Sequence, residues 1–364
     1  MAEDEAPVSP DTESAVPPKA HASRFGFLKR PLALAYAGFF VLLAAGAAAI
    51  EIAGNPDAGS PVVSVGLRPF PSAGEAAAMK LGAFRDTREM GGNLIADPAL
   101  IEDSPQGPLP KIARDGRTPL KAYGRGFANT DKRPKIALVL RGLGIDAAKA
   151  EAALAQLPSD VTLGFAPFAP ALQSEIDRAR EAGHEVLLEV PMEPFDFPDS
   201  DPGPHALLVA ASPEENGKRL DWTLSRATGY VGVMNLLGGR FMGEEAAIEP
   251  VLARIAKRGL MFFDNGASSS SVTITSARHV KAALATGTMV LDAVQTQAAI
   301  DSKLAELENA ARQDGFAIGV ASAYPITIAR LAEWTASAEA RGFQLVPLSG
   351  LAAQASQQNA AAAE

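Results

Sequence analysis

The side chains able to do chemistry in this chain are few and mostly acidic. Cysteine is absent, so no thiolate nucleophile, zinc–cysteine site or disulfide framework can be built. Four histidines occur, His21, His184, His205 and His279, too few for the His-rich set of a catalytic zinc centre. Cation chemistry would fall to carboxylates. Glu189, Glu193, Asp264 and Asp292 stand at or near the ends of apolar runs, and a site made of them alone would suit magnesium or calcium better than zinc. Structural roles compete for the same residues: Glu193 can brace the PMEP loop, and Asp264 can pair with Arg141 or Arg240. His184, in AGHEV, is expected to cap a helix end, where a cation meets the negative terminus. His205, in DPGPH, is expected on the surface, and His279 on a helix without a partner at metal spacing. Ser268 to Ser271 form a serine run with no G-x-S-x-G elbow and no nearby base, which argues against a serine hydrolase. That run reads as a flexible loop rim. LRGLG and NLLGG carry glycines but no following Lys-Ser/Thr, so they are not phosphate loops.

The elements that must position these residues begin at Lys135. From there short aliphatic runs alternate with amphipathic stretches. Strands are expected at Ile136 to Leu140, Val161 to Phe165, Glu185 to Val190, Gly229 to Met234, Leu260 to Phe263, Met289 to Leu291, Phe316 to Val320 and Gln344 to Val346. Helices are expected at Ala147 to Leu157, Ala171 to Ala182, Glu214 to Arg226, Glu244 to Arg258, Ser276 to Ala285, Thr296 to Asp314 and Ile326 to Arg341. This alternation implies βα units with parallel strands and right-handed crossovers. About eight such units point to a barrel-like arrangement more than an open sheet. In either case the chemistry lies where strands end. The loops to inspect start at Arg141, Ala166, Pro191, Asn235, Asp264, Asp292 and Ala321.

The first third of the 364-residue chain reads differently. Residues 1–30 are a polar tail rich in Ala, Pro and acid, expected to be disordered and cytoplasmic. Leu32 to Ile50 is an uncharged apolar run, long enough to cross a hydrocarbon core of about 30 Å. Arg24, Lys29 and Arg30 precede it, and Glu51 and Asp57 follow. The positive-inside rule therefore places the N-terminus in the cytoplasm and the rest beyond the membrane. A cleaved signal peptide is the competing reading, disfavoured by the long polar start and the lack of a clear cleavage site. Residues 51–134 form a Pro/Gly-rich linker, of which Leu100 to Phe127 has enough apolar punctuation to pack on the domain. Residues 135–352 are the domain, and 353–364 a disordered tail. The net charge of −9 argues against nucleic-acid binding, which needs clustered Lys and Arg.

Several stretches resemble one known family. They are IALVLRGLG (Ile136 to Gly144), VTLGFAPFAP (Val161 to Pro170), AGHEVLLEVPMEP (Ala182 to Pro194), DPGP (Asp201 to Pro204), GYVGVMNLLGGRF (Gly229 to Phe241), RGLMFFDNGASS (Arg258 to Ser269), AIGVASAYPIT (Ala317 to Thr327) and LVPLSGL (Leu345 to Leu351). In this order they resemble a divergent polysaccharide deacetylase of the envelope branch of the carbohydrate esterases. The resemblance implies an α/β fold, a distorted (β/α) barrel of polysaccharide-deacetylase type. It also implies a metal-activated water as nucleophile, with a carboxylate as base. The family pattern places an Asp pair after the first strand, a His in an Asn-His loop and a His in a late Gly-His-Pro loop. This chain departs at each: Arg141 and Gly142 stand for the Asp pair, Leu236 follows Asn235, and Ser322 stands for the late His. A guanidinium repels a cation and leucine has no donor atom.

The expectation is therefore a domain without the usual metal site and without a cofactor, working as a pseudoenzyme in the inner membrane and periplasm. Its ligand groove would be Glu189, Glu193, Asn235, Arg240, Asp264 and Asn265, and its partner an envelope glycan of peptidoglycan type or an envelope protein. The alternatives are an active deacetylase with a reorganised carboxylate site, and a scaffold for cell-wall remodelling proteins. Arg141 is expected to be paired with Asp264, or failing that with Glu189 or Glu193, because a buried unpaired cation is costly.

Overall fold

A computed structural model describes residues 96–126 and 131–352. The expected membrane span and both tails lie outside the described residues, within which no helix is long and apolar enough to cross a membrane.

The chain opens with an antiparallel hairpin, β1 (Ile101–Ser104) and β2 (Gly107–Pro110), followed by a short helix α1 (Pro119–Tyr123). Strands and helices then alternate: β3 (Lys135–Leu143), α2 (Ala147–Gln156), β4 (Thr162–Phe165), α3 (Leu172–Glu181), β5 (Val186–Met192), α4 (Pro213–Leu224), β6 (Gly232–Leu237), α5 (Glu245–Lys257) and β7 (Met261–Asp264). After α6 (Thr273–Val280) come β8 (Ala283–Thr286) and β9 (Met289–Val290), then α7 (Gln297–Asp314), β10 (Phe316–Ser322), α8 (Pro325–Ala338) and β11 (Gln344–Leu345). Side-chain oxygens start several helices: Asp146 accepts from the Ala148 N–H, Ser212 from Glu215 and Thr296 from Ala299, each satisfying a donor the helix itself cannot.

The large sheet runs β8-β7-β6-β5-β4-β3-β10-β9, with β11 on β3, and every neighbouring pair is parallel. Its two outermost members, β8 and β9, are separated in the chain by only Gly287 and Thr288. The sheet therefore curls toward a barrel. Gly287 donates to Asp264 O while Thr288 donates to Ile318 O, so one stretch of chain is bonded to both ends of the strand order. The expected helix over Ser276 to Ala285 is corrected here. It stops at Val280 because Lys281 takes a left-handed conformation (φ 57°), and Ala283–Thr286 pair with β7 instead. The hairpin β1–β2 was not among the expected elements either.

Period-two alternation sorts the strands onto two faces. Leu138, Leu140, Leu188, Val190, Val233 and Phe262 share a cluster with helix residues such as Ile176, Leu220, Leu252 and Leu331. The alternate residues, Ala137, Val139, Leu187, Met234, Phe263, Ile318 and Val320, form a second cluster. No residue of α2–α8 belongs to that one. It is filled by Leu100, Ala113, Tyr123, Val346 and Leu348 from the two ends of the described chain. It is the inner face of the curl. Each fully buried Leu, Phe or Met contributes about 1.5–3 kcal/mol, so both faces hold the strand ends firmly.

Candidate functional site

The alternation that fixes the inner face also fixes what emerges at its mouth, where the parallel strands end. Arg141 continues Ala137 and Val139, and Glu189 continues Leu187. Leu236 continues Met234, and Ser322 continues Ile318 and Val320. These four side chains therefore share the inner side, from four different strands.

The geometry around Glu189 depends on two glycines. The β3–β4 register shifts between Leu140 and Leu143, and within that bulge Gly142 takes φ 79°, a region open to glycine at no steric cost. This turns its N–H inward, where it donates to Glu189 Oε1 at 2.5 Å. Strand β4 lies between donor and acceptor, and Gly164 on it makes the crossing possible. A Cβ there would stand 2.8 Å from Met234 Sδ and 3.4 Å from Arg141 Cα. Glu189 is 1% exposed. Burial pushes its carboxyl up to about 7, against the smaller downward pulls of the Gly142 N–H and the Arg141 charge.

Arg141 is half-buried and, among the described residues, its side chain forms no hydrogen bond or ion pair. The expected bond to Asp264 is not made, for a specific reason. Asp264 is the residue after Phe263 and so faces the opposite side. There Oδ1 accepts from the Gly266 N–H at 2.9 Å, and Oδ2 accepts from the Ser271 and Thr273 hydroxyls, both at 2.6 Å. Glu193 is likewise engaged, with Arg240 Nη1 on Oε1 and the Val209 N–H on Oε2, both at 2.7 Å. It ties the loop after β5 to the loop after β6. Glu189 is the acid left near Arg141, felt as charge but not bonded.

Of the expected groove, Glu189 is the charged side chain that sits on the inner side with Arg141. Glu193 and Arg240 form one ion pair. Asn235 and Asn265 form another unit: Asn235 Oδ1 accepts from the Asn265 N–H at 2.9 Å and its amide donates to Leu237 O at 2.7 Å. Asp292 holds the loop after β10, accepting from the Ser322 N–H at 2.7 Å and the Thr327 hydroxyl at 3.1 Å. Glu189, Glu193, Asp264 and Asp292 do not converge, and among the described residues no three His, Asp or Glu side chains stand where they could hold a metal ion. The donor set at the mouth, a guanidinium, an aliphatic side chain, a hydroxyl and one buried carboxyl, does not fit a divalent cation.

The histidines have other roles. The His184 ring is buried with Nδ1 2.8 Å from Val161 O, while its backbone N–H, following Gly183 at φ 89°, closes α3 on Ala179 O. The backbone, not the ring, makes the cap. His205 stacks on Trp222 at 3.6 Å, and burial holds its imidazole below the usual value. His279 pairs with Glu249 at 2.9 Å. The serine run is anchored through Ser271 rather than standing as a loose rim.

Two features were missed from sequence. Gly164 in VTLGF was readable as a close approach, since glycine inside a strand commonly marks one. The second is an apolar rim. Ile145, Phe195, Leu237, Val294 and Ile326 are all exposed, and each lies at or just after the end of a different strand, β3, β5, β6, β9 and β10.

Residues 138–352 match the family described as divergent polysaccharide deacetylase. Among solved structures the chain is similar to the uncharacterized protein ATU2773 from Agrobacterium tumefaciens C58. The two share 41% identity at a TM-score of 0.66, over 67% of this chain and 99% of that one. It is also similar to the uncharacterized protein YibQ of Escherichia coli (strain K12), 25% identical over 200 residues. That match covers 53% of this chain and 60% of YibQ, so this chain spans less than two thirds of its relative. An uncharacterized protein of Haemophilus influenzae is 22% identical over 197 residues, 54% of this chain and 69% of its own.

Proposed function

The chain belongs to the divergent polysaccharide deacetylase family, and from that premise we propose that its domain binds an envelope glycan of peptidoglycan type without hydrolysing it. The observation that carries this reading is Arg141. A guanidinium at the end of the first core strand puts permanent positive charge at the mouth, and with Ser322 in register beside it and Leu236 at the end of β6 the usual ligand positions offer no set to hold the cation of a deacetylase. What persists at the strand ends is a cationic side chain with its donors available and exposed apolar side chains around it, a combination suited to a sugar with one polar edge and one apolar face. The uncharged run Leu32 to Ile50 would anchor the chain in the inner membrane, with the domain in the periplasm and no nucleic acid among its partners.

The exposed rim also favours a second reading, in which an envelope protein docks on the same mouth and the domain scaffolds wall-remodelling proteins. The test is one preparation with three measurements: metal content, deacetylation of chitooligosaccharides and peptidoglycan fragments, and retention on purified peptidoglycan. Glycan retention without zinc or turnover supports the proposal. Stoichiometric zinc with chelator-sensitive turnover overturns it. An inert, non-binding domain leaves the scaffold reading.

A further inference from the structure

The two ionisable side chains on the inner face of the mouth, Arg141 and Glu189, ask for a more specific ligand. Arg141 presents a planar fork of five N–H donors, none of them used within the described residues. Glu189, 1% exposed, spends one carboxyl oxygen on the Gly142 N–H. Its other oxygen has no hydrogen-bond partner among the described residues. Gly142, the next residue on β3, is exposed, and a Cβ built on it would meet no atom within 4 Å. The other acids of this end, Glu193, Asp264 and Asp292, are each held by Arg240, by loop hydroxyls or by backbone N–H groups. These three acids are thus already engaged, and Glu189 is the carboxyl whose charge acts with that of Arg141.

Resting on the glycan reading above, we infer that Arg141 and Glu189 form a subsite for the carboxylate of an acidic sugar. Arg141 receives both oxygens in a forked pair, the geometry that distinguishes arginine from a point charge. Glu189 in its neutral form donates an O–H to the same group, a carboxylic acid facing a carboxylate. A hydroxyl in that place would leave the guanidinium charge uncompensated, and an ammonium would be repelled. The exposed rim, with Phe195 lying against Gly239, is placed to meet the apolar face of the ring. Two sugar chemistries supply such a carboxylate, a uronic acid and a lactyl ether.

The experiment uses sugars that differ only by the acid, followed by amide chemical shifts in the purified protein. N-acetylmuramic acid is compared with N-acetylglucosamine, and glucuronic acid with glucose. The inference expects at least tenfold tighter binding of the acidic member in one pair, and that pair identifies the source. Arg141→Gln, checked for an unchanged melt, is expected to reduce the ratio to near one, and Arg141→Lys to restore part of it. Equal binding of acidic and neutral sugars overturns the subsite while leaving glycan binding intact. A preference that survives Arg141→Gln overturns the role of Arg141. Binding of no sugar at all, with peptidoglycan retention also absent, removes both the subsite and the glycan reading.

Discussion

Replacing Glu189 with glutamine should stabilise the domain, and only above a definite pH. The carboxyl is buried, with Met234 its register partner on β6, and burial pushes it up to about 7 from the ordinary 4.5. Below pH about 4.5 the group is protonated whether the chain is folded or not and has no effect on stability. Between about 4.5 and 7 the unfolded chain gives up its proton while the folded chain keeps it, so stability falls as pH rises. Above 7 the loss is complete, at about 3 kcal/mol for this displacement using 1.36 kcal/mol per pH unit. Glutamine keeps an oxygen for the Gly142 N–H and carries no charge to desolvate. Glu189→Gln should therefore melt with the wild type at pH 4.5 and about 6–12 °C above it at pH 8, at about 2–4 °C per kcal/mol for a domain of this size. Scanning calorimetry across pH 4.5 to 8 decides the matter. Parallel wild-type and variant melts across that range would refute the claim that Glu189 is held neutral by burial.

Other consequences follow from the same contacts. Arg141→Ala should change stability by less than about 0.5 kcal/mol, as for a half-buried side chain with no bonded partner among the described residues, and should raise the Glu189 titration further; a loss of several degrees in the melt would restore the idea of a buried ion pair. Glu193→Ala should cost about 1–3 kcal/mol by stranding the Val209 N–H and releasing Arg240, measured by urea denaturation. Acidic-sugar affinity should weaken as pH rises through about 7, when Glu189 changes from donor to like charge. Arg141 is the charged side chain acting on Glu189, whose register partner on β6 is the uncharged Met234, so a flat profile from pH 5.5 to 8.5 would count against the O–H donor. A protein lacking residues 1–50 should be soluble and monodisperse by size exclusion, whereas recovery only as aggregate would contradict the anchor reading.

Much of the architecture was legible in the sequence because it depends on local period. Strand β3 reads IALVL and α7 reads as an amphipathic stretch after Thr296, and both were placed within a few residues. The order of βα units made the sheet parallel and put Arg141, Glu189 and Asp264 at one end of it. The missing metal-ligand types were also legible, since leucine and arginine cannot ligate a cation in any fold. Sequence failed where one strand's ending depends on another. The left-handed turn at Lys281 and the pairing of Ala283–Thr286 with β7 come from closing the curl, and nothing in the run HVKAALA announces them. The facing of the acids failed for the same reason. Asp264 and Arg141 both end strands, but Asp264 follows inner-facing Phe263 and turns outward to Ser271 and Thr273. Whether two strand-end charges meet is set by the parity of each strand about a common axis. That parity, with the Gly142 bulge and the bare Gly164 between β3 and β5, is a property of the assembled sheet, and it leaves Arg141 without a bonded partner among the described residues, near a buried Glu189 whose carboxyl is pushed up by burial.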